Sequence, residues 1–315
     1  MGKASRTKVE YSRREKIAAQ RAAERKADQR RRILIASGSI VVVLAVVLTL
    51  IVIKLNNKPS SSAAQGLSNG PTGSALTSLT DTTTTVPAST LDAVGTGTFT
   101  GKIQTITGNP APLTANGKPE LLYIGAEYCP YCAANRWAMI VALSRFGTFS
   151  GLATVHSAVS NGAGQQEPYP NTPTWTFAHA TYSSPYLSFA SVEGETNIPD
   201  SSTGGYTALQ TATAAQQALI TKYDAPPYID SSQAGAIPFL DFGNKYVSLG
   251  VSYSNTALSG LTWTQIAADL HNQNSTVAQA VDGTANYFTA AICKMTGNQP
   301  ASACTPAVQA IESQL

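Results

Sequence analysis

The chain holds four cysteines, Cys129, Cys132, Cys293 and Cys304. The first two, separated by Pro130-Tyr131, have the spacing for thiol chemistry. Two cysteines three positions apart at the start of a helix put the first sulfur at the N-terminal end, where the dipole and free backbone N–H groups favour thiolate over thiol. The second lies one turn in, shielded, and placed to attack a mixed disulfide formed at the first. Pro130 suits the first helical turn, where its missing N–H costs little. The same spacing also serves an inert disulfide or half of a zinc site. Ten residues separate Cys293 from Cys304, which fits poorly with the close second pair of common zinc ribbons. The expected chemistry runs on two sulfurs and calls for no metal and no cofactor.

Cys293 and Cys304 flank a Gly/Asn/Gln/Pro-rich loop, Lys294 to Ala303. A structural disulfide there would close a small loop and contribute about 2–3 kcal/mol in the chain-entropy model. The alternative is a shuttle pair that exchanges with Cys129 and Cys132. Glu127, two residues before Cys129, could tune the thiol or relay a proton from Cys132; a solvated loop carboxylate is the plainer reading. Arg136, one turn after Cys132, could offset thiolate charge, but such an Arg is more often on the surface. The three histidines, His156, His179 and His271, are scattered and suggest no metal site. Asn274-Ser275-Thr276 matches a glycosylation acceptor pattern.

The elements that would position the pair can be read around it. Leu121 to Gly125 is a short apolar run ending at Gly, which predicts a buried strand. Cys132 to Phe146 carries Trp137, Ile140, Val141 and Leu143 at helical spacing, and Gly147 fits a stop. Leu152 to Val159 predicts a further strand, residues 161–174 a loop, and Thr207 to Tyr223 a helix. Trp175 to Ala180 and Tyr186 to Val192 are short elements of either type. Pro238 to Phe242 and Tyr246 to Gly250, joined through Gly243-Asn244, predict an antiparallel hairpin. Trp263 to Leu270 and Thr276 to Met295 predict closing helices. This order describes an α/β domain with helices packed on a mixed sheet.

The run Leu121 to Cys132, with Tyr128 before the first cysteine, resembles the strand, loop and active-site helix of the thioredoxin superfamily. Its Pro-Tyr dipeptide is the one typical of glutaredoxins. Gly235-Ala236-Ile237-Pro238-Phe239-Leu240 resembles the context of that superfamily's cis-proline. The resemblance implies a cis Ile237–Pro238 bond, and Ile237, Pro238 and Tyr131 bordering a bound substrate segment. Over roughly residues 95–315 the chain also resembles an archaeal and actinobacterial family of unknown function, DUF929. About a hundred residues separate Ala133 from Ile237, a large insertion after the active-site helix that resembles the helical cap of DsbA-like oxidoreductases. The implied partners are protein thiols or disulfides. A binding or chaperone-like module with a static Cys129–Cys132 bond is the alternative. Superfamily potentials span about −270 to −120 mV, so the motif leaves the direction of electron flow open, and no residue names an electron partner.

The rest of the chain predicts a location. Ile33 to Ile53 is a run of 21 residues without a charge, enough for a helix to cross the roughly 30 Å hydrocarbon core. Arg30-Arg31-Arg32 abuts it, which puts residues 1–32 in the cytoplasm and the remainder outside, where disulfides persist. A cleaved signal peptide would have a shorter apolar run and leader. Residues 1–32 hold twelve Lys/Arg against four Asp/Glu, a basic arm suited to anionic lipid headgroups. Only 12% of residues are charged, which argues against a nucleic-acid-binding surface. Residues 54–94, rich in Ser and Thr, read as a flexible linker, so the expected folded domain covers 95–315.

Overall fold

The structure, a computed structural model, describes residues 68–315. The basic arm, the apolar span at 33–53 and the linker up to residue 67 lie outside the described residues. Among the described residues no helix is long and apolar enough to cross a membrane. The last part of the expected linker is not a stalk. Gly73–Thr84 (α1) and Ala88–Val94 (α2) are helices. Few apolar residues suffice because each is well used: Leu79, Leu91 and Val94 are 4%, 1% and 7% exposed. The Thr-rich run bonds to its own helix, with Thr82, Thr83 and Thr85 donating to carbonyls four residues back at 2.7–2.8 Å.

The chain then enters a six-stranded sheet. β1 (Ile103–Thr105) and β2 (Thr114–Ala115) precede β3 (Lys118–Gly125), the strand expected at 121–125. Side chains of β3 alternate between two cores, as the strand period requires. Leu121 and Tyr123 face the larger, and Leu122 and Ile124 the smaller. Next comes α3 (Pro130–Ser144), buried from Cys132 to Leu143 with mostly apolar side chains, Asn135 and Arg136 being the polar exceptions.

The long insertion corrects the sequence reading. Its first part contains β4 (Thr148–Ser150), β5 (Ala153–His156), β6 (Pro173–Thr176) and β7 (Thr181–Ser183), in two antiparallel pairs, β4 with β7 and β5 with β6. The strand expected at 152–159 therefore lies outside the main sheet. The parallel neighbour of β3 is instead β8 (Ser188–Glu193), paired from Glu120 to Gly125. β9 (Glu195–Pro199) and β10 (Tyr206–Ala208) make a further hairpin. Between α3 and the Ile237–Pro238 bond the one helix is the short α4 (Ala214–Tyr223). It starts later than expected because a Thr213–Gln216 capping box sets its end and Tyr206–Ala208 is held by β9. Antiparallel strand pairs with the single short helix α4, rather than a helical cap, form the insertion. Its Gly, Pro and Asn punctuation, with β-branched and aromatic residues between, favours strands and turns.

β11 (Phe239–Phe242) and β12 (Tyr246–Leu249) form the expected hairpin. β11 lies antiparallel along β3, and β1 pairs on the far side of β12. After a 3₁₀ turn at Asn255–Leu258 come α5 (Trp263–Asp269), α6 (Thr276–Thr296) and α7 (Pro306–Glu312). The last was not anticipated. α3 and α6 share the larger core, while α4 covers the other face through Leu219, Ile220 and Tyr223. Both faces of β3 are thereby closed, and its C-terminal end delivers the chain to Cys129.

Candidate active site

Gly125 ends β3 and Cys129 caps α3. The Cys129 sulfur accepts the Cys132 backbone N–H at 3.2 Å, and Pro130 occupies the first turn. The first sulfur thus sits on the helix N-terminus, and the second lies one turn in, 0% exposed. Both thiols are free. Burial pushes the Cys132 thiol well above its ordinary value, and its hydrogen bond with Cys129 adds to this; Arg136 pulls the other way.

Ile237–Pro238 is cis and brings the Ile237 carbonyl to 3.8 Å from the Cys129 sulfur. A cavity of about 830 Å³ opens at this point, lined among others by Cys129, Tyr131, Ile237, Leu249 and Val251. Pro238 is buried behind it. The insertion supplies the aromatic side of this mouth. Tyr128 stacks on Tyr206 with centroids 4.1 Å apart, Tyr206 donates to Glu167 at 2.6 Å, and Tyr131 meets Tyr169 edge-on. The insertion also holds the loop before the cysteine, since Ala158 N–H donates to the Tyr128 carbonyl and Glu127 N–H to the Glu195 carbonyl, both at 2.9 Å. Glu127 is 1% exposed, so the solvated carboxylate favoured by the sequence is a buried one.

Arg136 is the larger surprise. Expected at the surface, it is 0% exposed. Its Nε and Nη2 donate to the two carboxylate oxygens of Glu193, each at 2.8 Å, and Nη2 also reaches the Ala126 carbonyl. Burial opposes the charge, but Glu193 more than offsets it, so Arg136 stays protonated. Sequence spacing puts Arg136 one turn below Cys132. Its partner arrives on β8, 57 residues later, a pairing that no local pattern shows.

Cys293 and Cys304 are bonded to one another, which removes them from any metal site shared with Cys129 and Cys132. They are 0% and 2% exposed and lie at the far end of the sheet. There Lys245, at the β11–β12 turn, donates to the Lys294 carbonyl at 3.0 Å, whereas Cys129 lies at the Pro238 end of β11. A bond exchange between the two pairs would have to cross the length of the sheet.

Fold and site together define an α/β protein with a helix-capping Cys-x-x-Cys pair at the mouth of a cavity. Residues 104–294 match the family described as a domain of unknown function, DUF929, and the chain belongs to that family. No curated protein matches it. No solved structure matches it either.

Proposed function

We propose that this chain is a membrane-anchored, extracytoplasmic thiol–disulfide oxidoreductase with a thioredoxin-like domain, acting on protein cysteines. The observation that carries the reading is the placement of Cys129. It caps a helix, borders a cavity, faces the carbonyl before a cis-proline, and has a free, shielded cysteine one turn behind it. The order β3, α3, parallel β8, α4 and the antiparallel pair β11–β12, followed by α6 on the α3 face, supports the thioredoxin-like reading of the domain. The apolar run at 33–53 with its flanking arginines supports the anchor and the topology.

In the reducing direction the Cys129 thiolate attacks a substrate disulfide, forming a Cys129–substrate bond and releasing one substrate sulfur. Cys132 gives its proton to that released thiolate and attacks the Cys129 sulfur. The second substrate sulfur leaves as a thiolate and takes a proton from water, balancing the proton Cys129 lost on ionising; the substrate ends as two thiols, and Cys129–Cys132 ends as a disulfide. The oxidising direction is the reverse. Ile237 and Tyr131 border the mouth where the substrate segment would lie. Equilibrating the purified chain in glutathione buffers of graded potential, then alkylating free thiols, should give a single two-electron transition at Cys129/Cys132. Cys132→Ala should accumulate mixed disulfides with other proteins. A pair that stays in one redox state in every buffer would refute the proposal.

A further inference from the structure

Behind the cysteine pair lies a buried polar group without a partner. Tyr123 is 0% exposed, and its hydroxyl makes no hydrogen bond. A buried hydroxyl left unpaired is costly, so such groups call for an explanation. Tyr123 Oη and Cys132 Sγ lie 2.1 Å and 3.1 Å from the point where a Cβ on Gly125 would sit. Gly125, having no side chain, leaves a space that both the oxygen and the sulfur border. Arg136 Nη1 is another buried donor without a partner, on a side chain fixed by Glu193 and Ala126. The charged and titratable groups around the sulfur are then Cys129 at the cap of α3, Arg136 on α3, Tyr123 on β3 and Tyr128 in the loop between them, with Glu193 on β8 behind Arg136.

We propose that Tyr123 and Arg136 form an internal anion site that holds Cys132 as its thiolate in the resolving step, the Tyr123 hydroxyl donating a hydrogen bond and Arg136 supplying the positive charge. This rests on the thiol-exchange reading above. In the resting state the site is idle, because a neutral thiol accepts weakly. It engages when Cys132 has given its proton to the first released substrate thiolate. The new thiolate then accepts from Tyr123 and sits beside Arg136 until it attacks the Cys129 sulfur and expels the second substrate sulfur. Burial pushes the phenol far up, so Tyr123 acts as a donor and is not the base. A fully buried thiolate would otherwise form too rarely to resolve a mixed disulfide quickly.

Reaction of the reduced, purified full-length chain with dithiobis(nitrobenzoate) separates the two steps. The first nitrothiobenzoate released reports Cys129, and the second reports Cys132. Tyr123→Phe removes only the unpaired oxygen, so folding should hold. Its first phase should match the wild type, while the second slows about tenfold or more and its pH midpoint rises by about one unit. Arg136→Lys, which keeps the charge, should slow the second phase less than Tyr123→Phe. A second phase with unchanged rate and pH midpoint in Tyr123→Phe overturns the proposal. If the wild type releases no chromophore, the exchange reading itself fails. The ¹³Cβ titration of Cys132 in a Cys129→Ser background then still decides this site: an upward shift with Tyr123→Phe supports it, and an unmoved midpoint overturns it.

Discussion

Replacing Glu193 by Gln tests whether Arg136 is held as a buried ion. The substitution keeps the shape but removes the charge that faces the guanidinium through two 2.8 Å contacts, with both side chains 0% exposed. Removing one partner of a buried pair leaves an uncompensated charge, a loss of about 3–5 kcal/mol. An exposed pair would contribute only about 0–1 kcal/mol. For a domain of this size the larger figure corresponds to roughly 6–20 °C in Tm. Urea unfolding of the purified chain, followed by far-UV circular dichroism, measures it. The double variant Arg136→Leu/Glu193→Leu should recover most of the loss, because an apolar pair carries no unpaired charge. A loss below about 1 kcal/mol in Glu193→Gln, or a double variant as unstable as the single one, would show that Arg136 is solvated or neutral and sink the reasoning.

Three further outcomes follow from other parts of the fold. Leu91→Ala should cost about 2–5 kcal/mol, because Leu91 is 1% exposed and Asn286 clasps its carbonyl at 2.7 Å; an unchanged denaturation midpoint would return residues 73–94 to the stalk. Burial raises the carboxyls of Asp241 and Asp282 to about 7 and about 8. The folded state therefore holds protons that the unfolded chain releases near pH 4, and stability should fall as pH rises from about 4 to about 8. Asp282→Asn should flatten that slope in thermal melts, and a Tm that climbs over this range would contradict it. Replacing Cys293 and Cys304 together by Ala should lower stability by about 2–3 kcal/mol while exchange at Cys129 keeps its rate; a slowed first phase would tie the two pairs together after all.

Much of the site was legible in local pattern. The apolar run at 121–125, the helix-starting Cys-Pro-Tyr-Cys, the hairpin around Gly243-Asn244 and the long C-terminal helix are each written in contiguous residues, where period and turn chemistry act over a few positions. The 73–94 helices were hidden, because Ser, Thr and Ala carry little periodic signal and a handful of buried apolar residues do the packing. The element at Tyr186 to Val192 was legible but its type was open, since a short strand of mixed polarity such as β8 declares itself only by its parallel neighbour.

Sequence alone determined that two cysteines stand at a helix start, that an Arg follows one turn later and that Tyr123, Gly125 and Cys129 lie along one strand-to-helix connection. Tertiary structure decided what surrounds them. It brought Glu193 from another strand to hold Arg136 inside, set Ile237 against the Cys129 sulfur, and left Tyr123 facing Cys132 across the space above Gly125. Covalent neighbours and helical spacing act over a few ångströms of chain. Burial and charge pairing depend on which distant segments the core draws together, and only the folded chain specifies those.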